Sequence, residues 1–252
     1  MKIVRFKAMG KTRYGVLEGT HIVEYAGTPF GSFKRGRRKY ALKQAVLLTP
    51  VIPSKIAAIA FNYRDIADEM DRAVPADLQI FFKPVSALCG PDDPIVLPAH
   101  VGRVDYEGEL AIVIRKRTYQ VPPERAREHV LGYTCLNDIT ARDLHGREGQ
   151  SIRAKAFDTF CPVGPCIATD IDPGGVELET YVNGERRQAS NTKHLVFPVD
   201  DVVSRVSAVM TLLPGDLIAT GTPAGTGPIR AGDRVEVRID GIGSLRNPVI
   251  TL

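Results

Sequence analysis

Short segments that alternate apolar and polar residues at period two recur along this chain, punctuated by glycine, proline or an Asn-Gly pair. A strand sends successive side chains to opposite faces, so these segments predict half-buried strands joined by tight turns. Lys2-Ile3-Val4-Arg5-Phe6 and Arg13-Tyr14-Gly15-Val16-Leu17-Glu18 read this way, with Gly10 and Gly19-Thr20 at the turns. Leu178-Glu179-Thr180-Tyr181-Val182 runs into Asn183-Gly184, a strong hairpin signal because a type I′ turn needs positive φ at both positions. Arg234-Val235-Glu236-Val237-Arg238-Ile239 alternates as an outer strand that enters a tight turn at Asp240-Gly241.

Unbroken apolar runs predict buried strands at Ile56-Ala57-Ala58-Ile59-Ala60-Phe61 and at Leu110-Ala111-Ile112-Val113-Ile114, and residues 132–136 read as a third strand. Helical signals are fewer: residues 64–72, residues 122–130 with prolines at the start, and Val202, Val203, Val206, Val209, Met210 and Leu213, stopped by Pro214-Gly215. The balance predicts an α+β, mainly β fold rather than a doubly wound parallel sheet. Leu48-Thr49-Pro50-Val51-Ile52-Pro53 reads as an extended linker. It divides a small β-rich unit, residues 1–50, from a main unit, residues 51–252, and the 252 residues suffice for that pair.

The formal charge is only +4, and the basic cluster Lys34-Arg35-Gly36-Arg37-Arg38-Lys39 lacks interleaved aromatics, which argues against a nucleic-acid partner. The cluster reads as a solvated basic loop, or as a collar that draws in an anionic substrate. No run approaches the ~18 apolar residues of a membrane span, and residues 1–10 (MKIVRFKAMG) do not resemble a signal peptide, so the expected address is cytoplasmic. Cys89, Cys135, Cys161 and Cys166 form no CxxC pair and are expected to be buried free thiols.

Asp105-Tyr106-Glu107-Gly108-Glu109 leads directly into the apolar strand at 110–114. Glu107 and Glu109, two apart on an extended chain, project from the same face, where like charges are unfavourable unless a cation offsets them. Asp138 ends a second strand and could complete a set of three oxygen ligands. Such a set suits Mg²⁺, Mn²⁺ or Ca²⁺ rather than Zn²⁺ or Cu²⁺. The alternative is that these acids pair with some of the 33 Lys and Arg residues.

A series of words shifts that balance: Phe61-Asn62-Tyr63, Phe82-Lys83-Pro84, the Glu107-Gly108-Glu109 word, Gly132-Tyr133-Thr134-Cys135-Leu136-Asn137-Asp138, Ala141-Arg142-Asp143-Leu144, Arg153-Ala154-Lys155-Ala156-Phe157-Asp158 and Ala219-Thr220-Gly221-Thr222-Pro223. In order and spacing they resemble the fumarylacetoacetate hydrolase family over residues 50–252, with a looser likeness to its bacterial members before that. The nearest pattern is that of the branch of 2-hydroxyhepta-2,4-diene-1,7-dioate isomerases and 5-oxopent-3-ene-1,2,5-tricarboxylate decarboxylases. The resemblance implies a mixed β-roll with few helices, a homodimer, and one Mg²⁺ held by Glu107, Glu109 and Asp138 that chelates a small 2-oxo acid. It implies further that Lys155 faces the developing negative charge, and that Lys83 and Thr222 line the substrate pocket.

One position departs from the hydrolytic pattern. Where hydrolases carry a histidine three residues before a glutamate, the pair that activates water, this chain has Ile66 and Glu69. Among its five histidines only His145 falls where relatives place a polar active-site residue. It is either a substitute base or a solvent-exposed loop residue. The expected chemistry is therefore decarboxylation or isomerisation of a 2-oxo dicarboxylate, with Glu69 the first acid/base candidate and His145 the second. Two alternatives stay open, an acylpyruvate-type C–C hydrolase and a metal-binding remnant without catalysis.

Overall fold

The structure, a computed structural model, describes residues 1–145 and 152–251. Its backbone is mostly strand, and the α-helices among the described residues are Arg64–Glu69, Ile152–Lys155 and Val199–Val209. The fold is thus α+β and mainly β, as expected.

A twelve-stranded sheet supplies the scaffold. From one edge, its path runs Phe33–Ala41, His21–Gly27, Lys11–Glu18, Lys2–Ala8, Cys161–Ala168, Val130–Asn137, Gly108–Ile114, Leu217–Ala219, Ile56–Ala60 and Gln79–Lys83. The first fifty residues join it through Lys2–Ala8, which pairs Ile3 with Ile167. A five-stranded sheet of Glu185–Asn191, Glu177–Val182, Arg234–Ile239, Gly243–Thr251 and Ile95–Leu97 packs against the larger one. Between them, Leu110, Ile112 and Cys135 meet Leu178, Val237 and Leu245 in the main core.

Gly108–Ile114 is buried along its whole length because both its faces are covered. Its even positions, Leu110 and Ile112, enter the core between the sheets, and its odd positions, Ala111 and Val113, enter a second core on the opposite face. Removing each such side chain from water is worth roughly 1.5–3 kcal/mol, which makes the strand a rigid base for whatever lies at its start. Glu107 and Glu109 share the odd parity and so open onto the second face.

Four sequence expectations change. Arg234–Ile239 is an interior strand, flanked by Glu177–Val182 and Gly243–Thr251, and its alternation reports one polar sheet face rather than an edge. The basic cluster is no loop but part of the edge strand Phe33–Ala41, where charged side chains keep an exposed ladder from pairing with another chain. The turns at 122–130 tighten into a 3₁₀ helix, Pro123–His129. The third α-helix stops at Val209, before Pro214-Gly215, because Leu212 leaves it to exchange two backbone hydrogen bonds with Thr118. The hairpin holds: Asn183 and Gly184 have φ of 54° and 84°. All four cysteines are free and buried.

Candidate metal and oxo-acid site

Glu107, Glu109 and Asp138 come together where neighbouring strands of the large sheet end, each buried, with ligand oxygens within 4.8 Å of one another. The register explains it: Gly108 pairs with Asn137 and Glu109 with Leu136, so Asp138 emerges beside the two glutamates. Side-chain and backbone bonds fix the junction, since Asn137 Oδ1 accepts from the Glu107 N–H at 3.0 Å and the Asp138 N–H donates to the Glu107 carbonyl at 2.8 Å.

Cations surround two of these carboxylates. Lys155 Nζ, on the short helix Ile152–Lys155, donates to Glu107 Oε2 and to Asp138 Oδ2, each at 2.6 Å. Lys83 Nζ donates to Asp138 Oδ1 at 2.5 Å and to the Lys155 carbonyl at 2.8 Å. Arg142 bridges Glu107 Oε1 at 2.6 Å and Asp105 Oδ2 at 2.9 Å. Burial alone would lower the pKa of Lys155, but the Asp138 and Glu107 carboxylates outweigh it and hold the ammonium protonated above its usual range. Burial likewise opposes the ionisation of Asp138, and Lys155 and Lys83 overcome that and keep its pKa low.

Glu109 differs from both. Its Oε2 accepts from the Gly221 N–H at 2.8 Å, and among the described residues no cationic side chain reaches it at ion-pair distance. Burial, followed by the charges of Asp138 and Glu107, drives its pKa well above the carboxylate range. Three buried carboxylates at this spacing, one of them without a counter-charge, fit a divalent cation bound through oxygen.

The sequence profile described as Fumarylacetoacetate (FAA) hydrolase C-terminal matches residues 55–250. The chain belongs to the fumarylacetoacetate hydrolase family. A second profile, Rv2993c-like N-terminal, matches residues 1–50. The structure is similar to a 5-carboxymethyl-2-hydroxymuconate delta-isomerase from Mycobacterium smegmatis, with a TM-score of 0.94 at 45% identity and full coverage of both chains. It is also similar to a maleylpyruvate hydrolase from Sphingobium sp. SYK-6 in complex with manganese(II) ion and pyruvate, with a TM-score of 0.84 at 35% identity, covering 100% of this chain and 99% of that one. A mitochondrial oxaloacetate tautomerase FAHD2B of Bos taurus is 40% identical over 220 residues, 82% of this chain and 70% of the relative. Isomerases, hydrolases and tautomerases are thus among its relatives, and the chain is an enzyme of this family.

Against that family background the remaining candidates divide. Ile66 is packed in the main core, while Glu69 is exposed at the end of the same helix, Arg64–Glu69, with Oε2 accepting from the Gly225 N–H at 3.0 Å. His145 is partly buried; burial first, then Lys155 and Arg142, lower its pKa against the opposing pull of Glu107 and Asp138, so the neutral imidazole is favoured. The Thr222 hydroxyl donates to the Gly108 carbonyl at 2.9 Å and accepts from Gln188 at 2.8 Å. Sequence reading passed over Arg142, although it lies in the Ala141-Arg142-Asp143-Leu144 word, and Gln188, for which no local signal exists. No helix among the described residues is long and apolar enough to cross a membrane.

Proposed function

We propose that this family member is a divalent-metal enzyme, with Mg²⁺ the expected ion and Mn²⁺ or Ca²⁺ as substitutes, that isomerises or decarboxylates an enolisable 2-oxo dicarboxylate. The observation that carries this reading is a charged site in a chain whose position 66 is apolar: Glu107, Glu109, Asp138 and Lys155 are assembled, whereas Ile66 is a core residue that cannot activate water. Bound to the three carboxylates, the ion would polarise the 2-oxo group as a C–H or C–C bond gives up its electron pair.

Lys155 keeps its proton and presents a fixed ammonium toward the oxygen where charge develops, with no reorganisation needed at that moment. Lys83 orders that arrangement by gripping both Asp138 and the Lys155 carbonyl. Thr222 lines the pocket through its turn, which borders Glu109. Glu69, whose Oε2 is held by the Gly225 N–H, is the first candidate to return a proton to carbon, and His145 is the second. We assign residues 51–252 to the catalytic unit and residues 1–50 to a small β unit, in a homodimer.

Likeness to a maleylpyruvate hydrolase and the neutral state of His145 favour one other reading, C–C hydrolysis with His145 as base. A product assay separates the two. Chelator-treated protein is given oxaloacetate, an unsaturated 2-oxo dicarboxylate or an acylpyruvate, with and without Mg²⁺. Metal-dependent keto–enol exchange, double-bond migration or CO₂ release supports the proposal; two carboxylic fragments as the main product overturn it.

A further inference from the structure

Gln188 belongs to the strand Glu185–Asn191 of the smaller sheet, far in sequence from the ligand words, and is 1% exposed. Its side chain nevertheless reaches the peptide between the two metal-ligand glutamates. Oε1 accepts from the Gly108 N–H at 3.0 Å, and Nε2 donates to Thr222 Oγ1 at 2.8 Å and to the Pro223 carbonyl at 2.9 Å. The partners settle the amide's orientation, because a flipped amide would set N–H against N–H and carbonyl against carbonyl.

The ring closes through Thr222, whose hydroxyl proton goes to the Gly108 carbonyl at 2.9 Å, its oxygen being occupied by the Gln188 amide. Both polar groups of Gly108 are thereby held by side chains from outside its own strand. The same turn grips the strand just beyond that peptide: the Gly221 N–H bonds the Glu109 carboxylate, and Thr220 bonds the Leu110 carbonyl through its N–H at 3.0 Å and its hydroxyl at 2.9 Å. A Cβ at position 108 would lie 2.1 Å from Thr180 Oγ1, so side chains of the smaller sheet pack directly on the Gly108 backbone.

We infer that Gln188 is a positioning residue, one that locks the Gly108 peptide to the turn at 221–223 and thereby sets the separation of the Glu107 and Glu109 carboxylates. The inference rests on the proposed reading of those glutamates as metal ligands. Rotation of that peptide moves both carboxylates together, and a bound cation tolerates ligand displacements of only ~0.2 Å.

The test measures Mn²⁺ affinity of the full chain by calorimetry, with unfolding midpoints recorded in parallel, for wild type, Gln188→Met and Gln188→Glu. Loss of a group that orients metal ligands typically weakens binding about 10–100-fold, which is the expectation for Gln188→Met. Gln188→Glu keeps an oxygen for the Gly108 N–H but turns its other oxygen on the Pro223 carbonyl, so it too should weaken binding. Folded variants that bind Mn²⁺ within about twofold of wild type would overturn the inference while leaving the metal site intact. Wild type that binds no Mn²⁺ would overturn both. Variants that fail to fold, and that Mn²⁺ does not rescue, would make Gln188 a residue of the core alone and overturn the inference.

Discussion

The Gly221 N–H bonds Glu109 Oε2 at 2.8 Å, and with no cationic side chain of the described residues at ion-pair distance this buried carboxyl is the costliest of the three to ionise when metal is absent. Glu109→Gln should therefore abolish metal-dependent turnover and Mn²⁺ binding while leaving stability unchanged or raised. Glu107→Ala and Asp138→Ala should abolish turnover too; Asp138→Ala also strands the buried Lys83 ammonium and should lower stability, whereas after Glu107→Ala Lys155 keeps Asp138 and Arg142 keeps Asp105. Activity and denaturation curves on the three variants check both halves, and wild-type turnover in any of them would remove that residue from the ligand set.

In the proposed mechanism Lys155 offers its charge where negative charge would develop. Lys155→Met should lower kcat by about 10²–10³-fold, with a smaller change in KM, since the ammonium acts on the transition state more than on bound substrate. Steady-state kinetics with the proposed 2-oxo dicarboxylate measures the split; a pure KM effect would reduce Lys155 to a binding group.

Ile66→His, one turn before Glu69, would rebuild a base–acid pair on the helix. Acylpyruvate hydrolysis should rise, by up to the ~10²–10⁴-fold that general-base catalysis supplies, while isomerisation changes little. Because Ile66 packs in the core, the imidazole should also cost roughly 1–3 kcal/mol, read from urea denaturation. A folded variant with unchanged hydrolysis would break the link between position 66 and reaction type.

His145 has a depressed pKa, so if it is the acid/base group the limb of kcat/KM it sets, acid for a base and alkaline for a proton donor, should fall below the ordinary histidine value of about 6.5. That limb should vanish in His145→Ala. A limb that persists in the variant would leave the role to Glu69.

Asp216 is fully buried and accepts from the Ser54 N–H and hydroxyl, the Lys55 N–H and ammonium, and the Leu213 N–H. Burial opposes its ionisation, but these donors win and lower its folded pKa. The stabilisation is therefore present above the unfolded carboxylate value of about 3.9 and is lost as pH falls toward the lower folded value. Asp216→Asn should cost about 1.5–3 kcal/mol at neutral pH, since Lys55 is partly exposed and keeps water, and urea titrations should show the gap from wild type narrowing in acid.

The sequence by itself determined the strands, the Asn183-Gly184 hairpin and the facing of Glu107 and Glu109, because periodicity and turn chemistry act over a few residues. The ordered words fixed the family for the same reason: each is a local string. Only the tertiary structure decided that Arg234–Ile239 lies inside its sheet and that the basic cluster forms an edge strand, since period two reports which side chains are buried and not which strand lies alongside. It alone showed that, among the described residues, Lys83, Lys155 and Arg142 crowd Glu107 and Asp138 and none pairs with Glu109, and that Gln188 reaches Gly108 from the other sheet. Those are contacts between residues far apart in the chain, and strand pairing and sheet packing, rather than local sequence, set their distances.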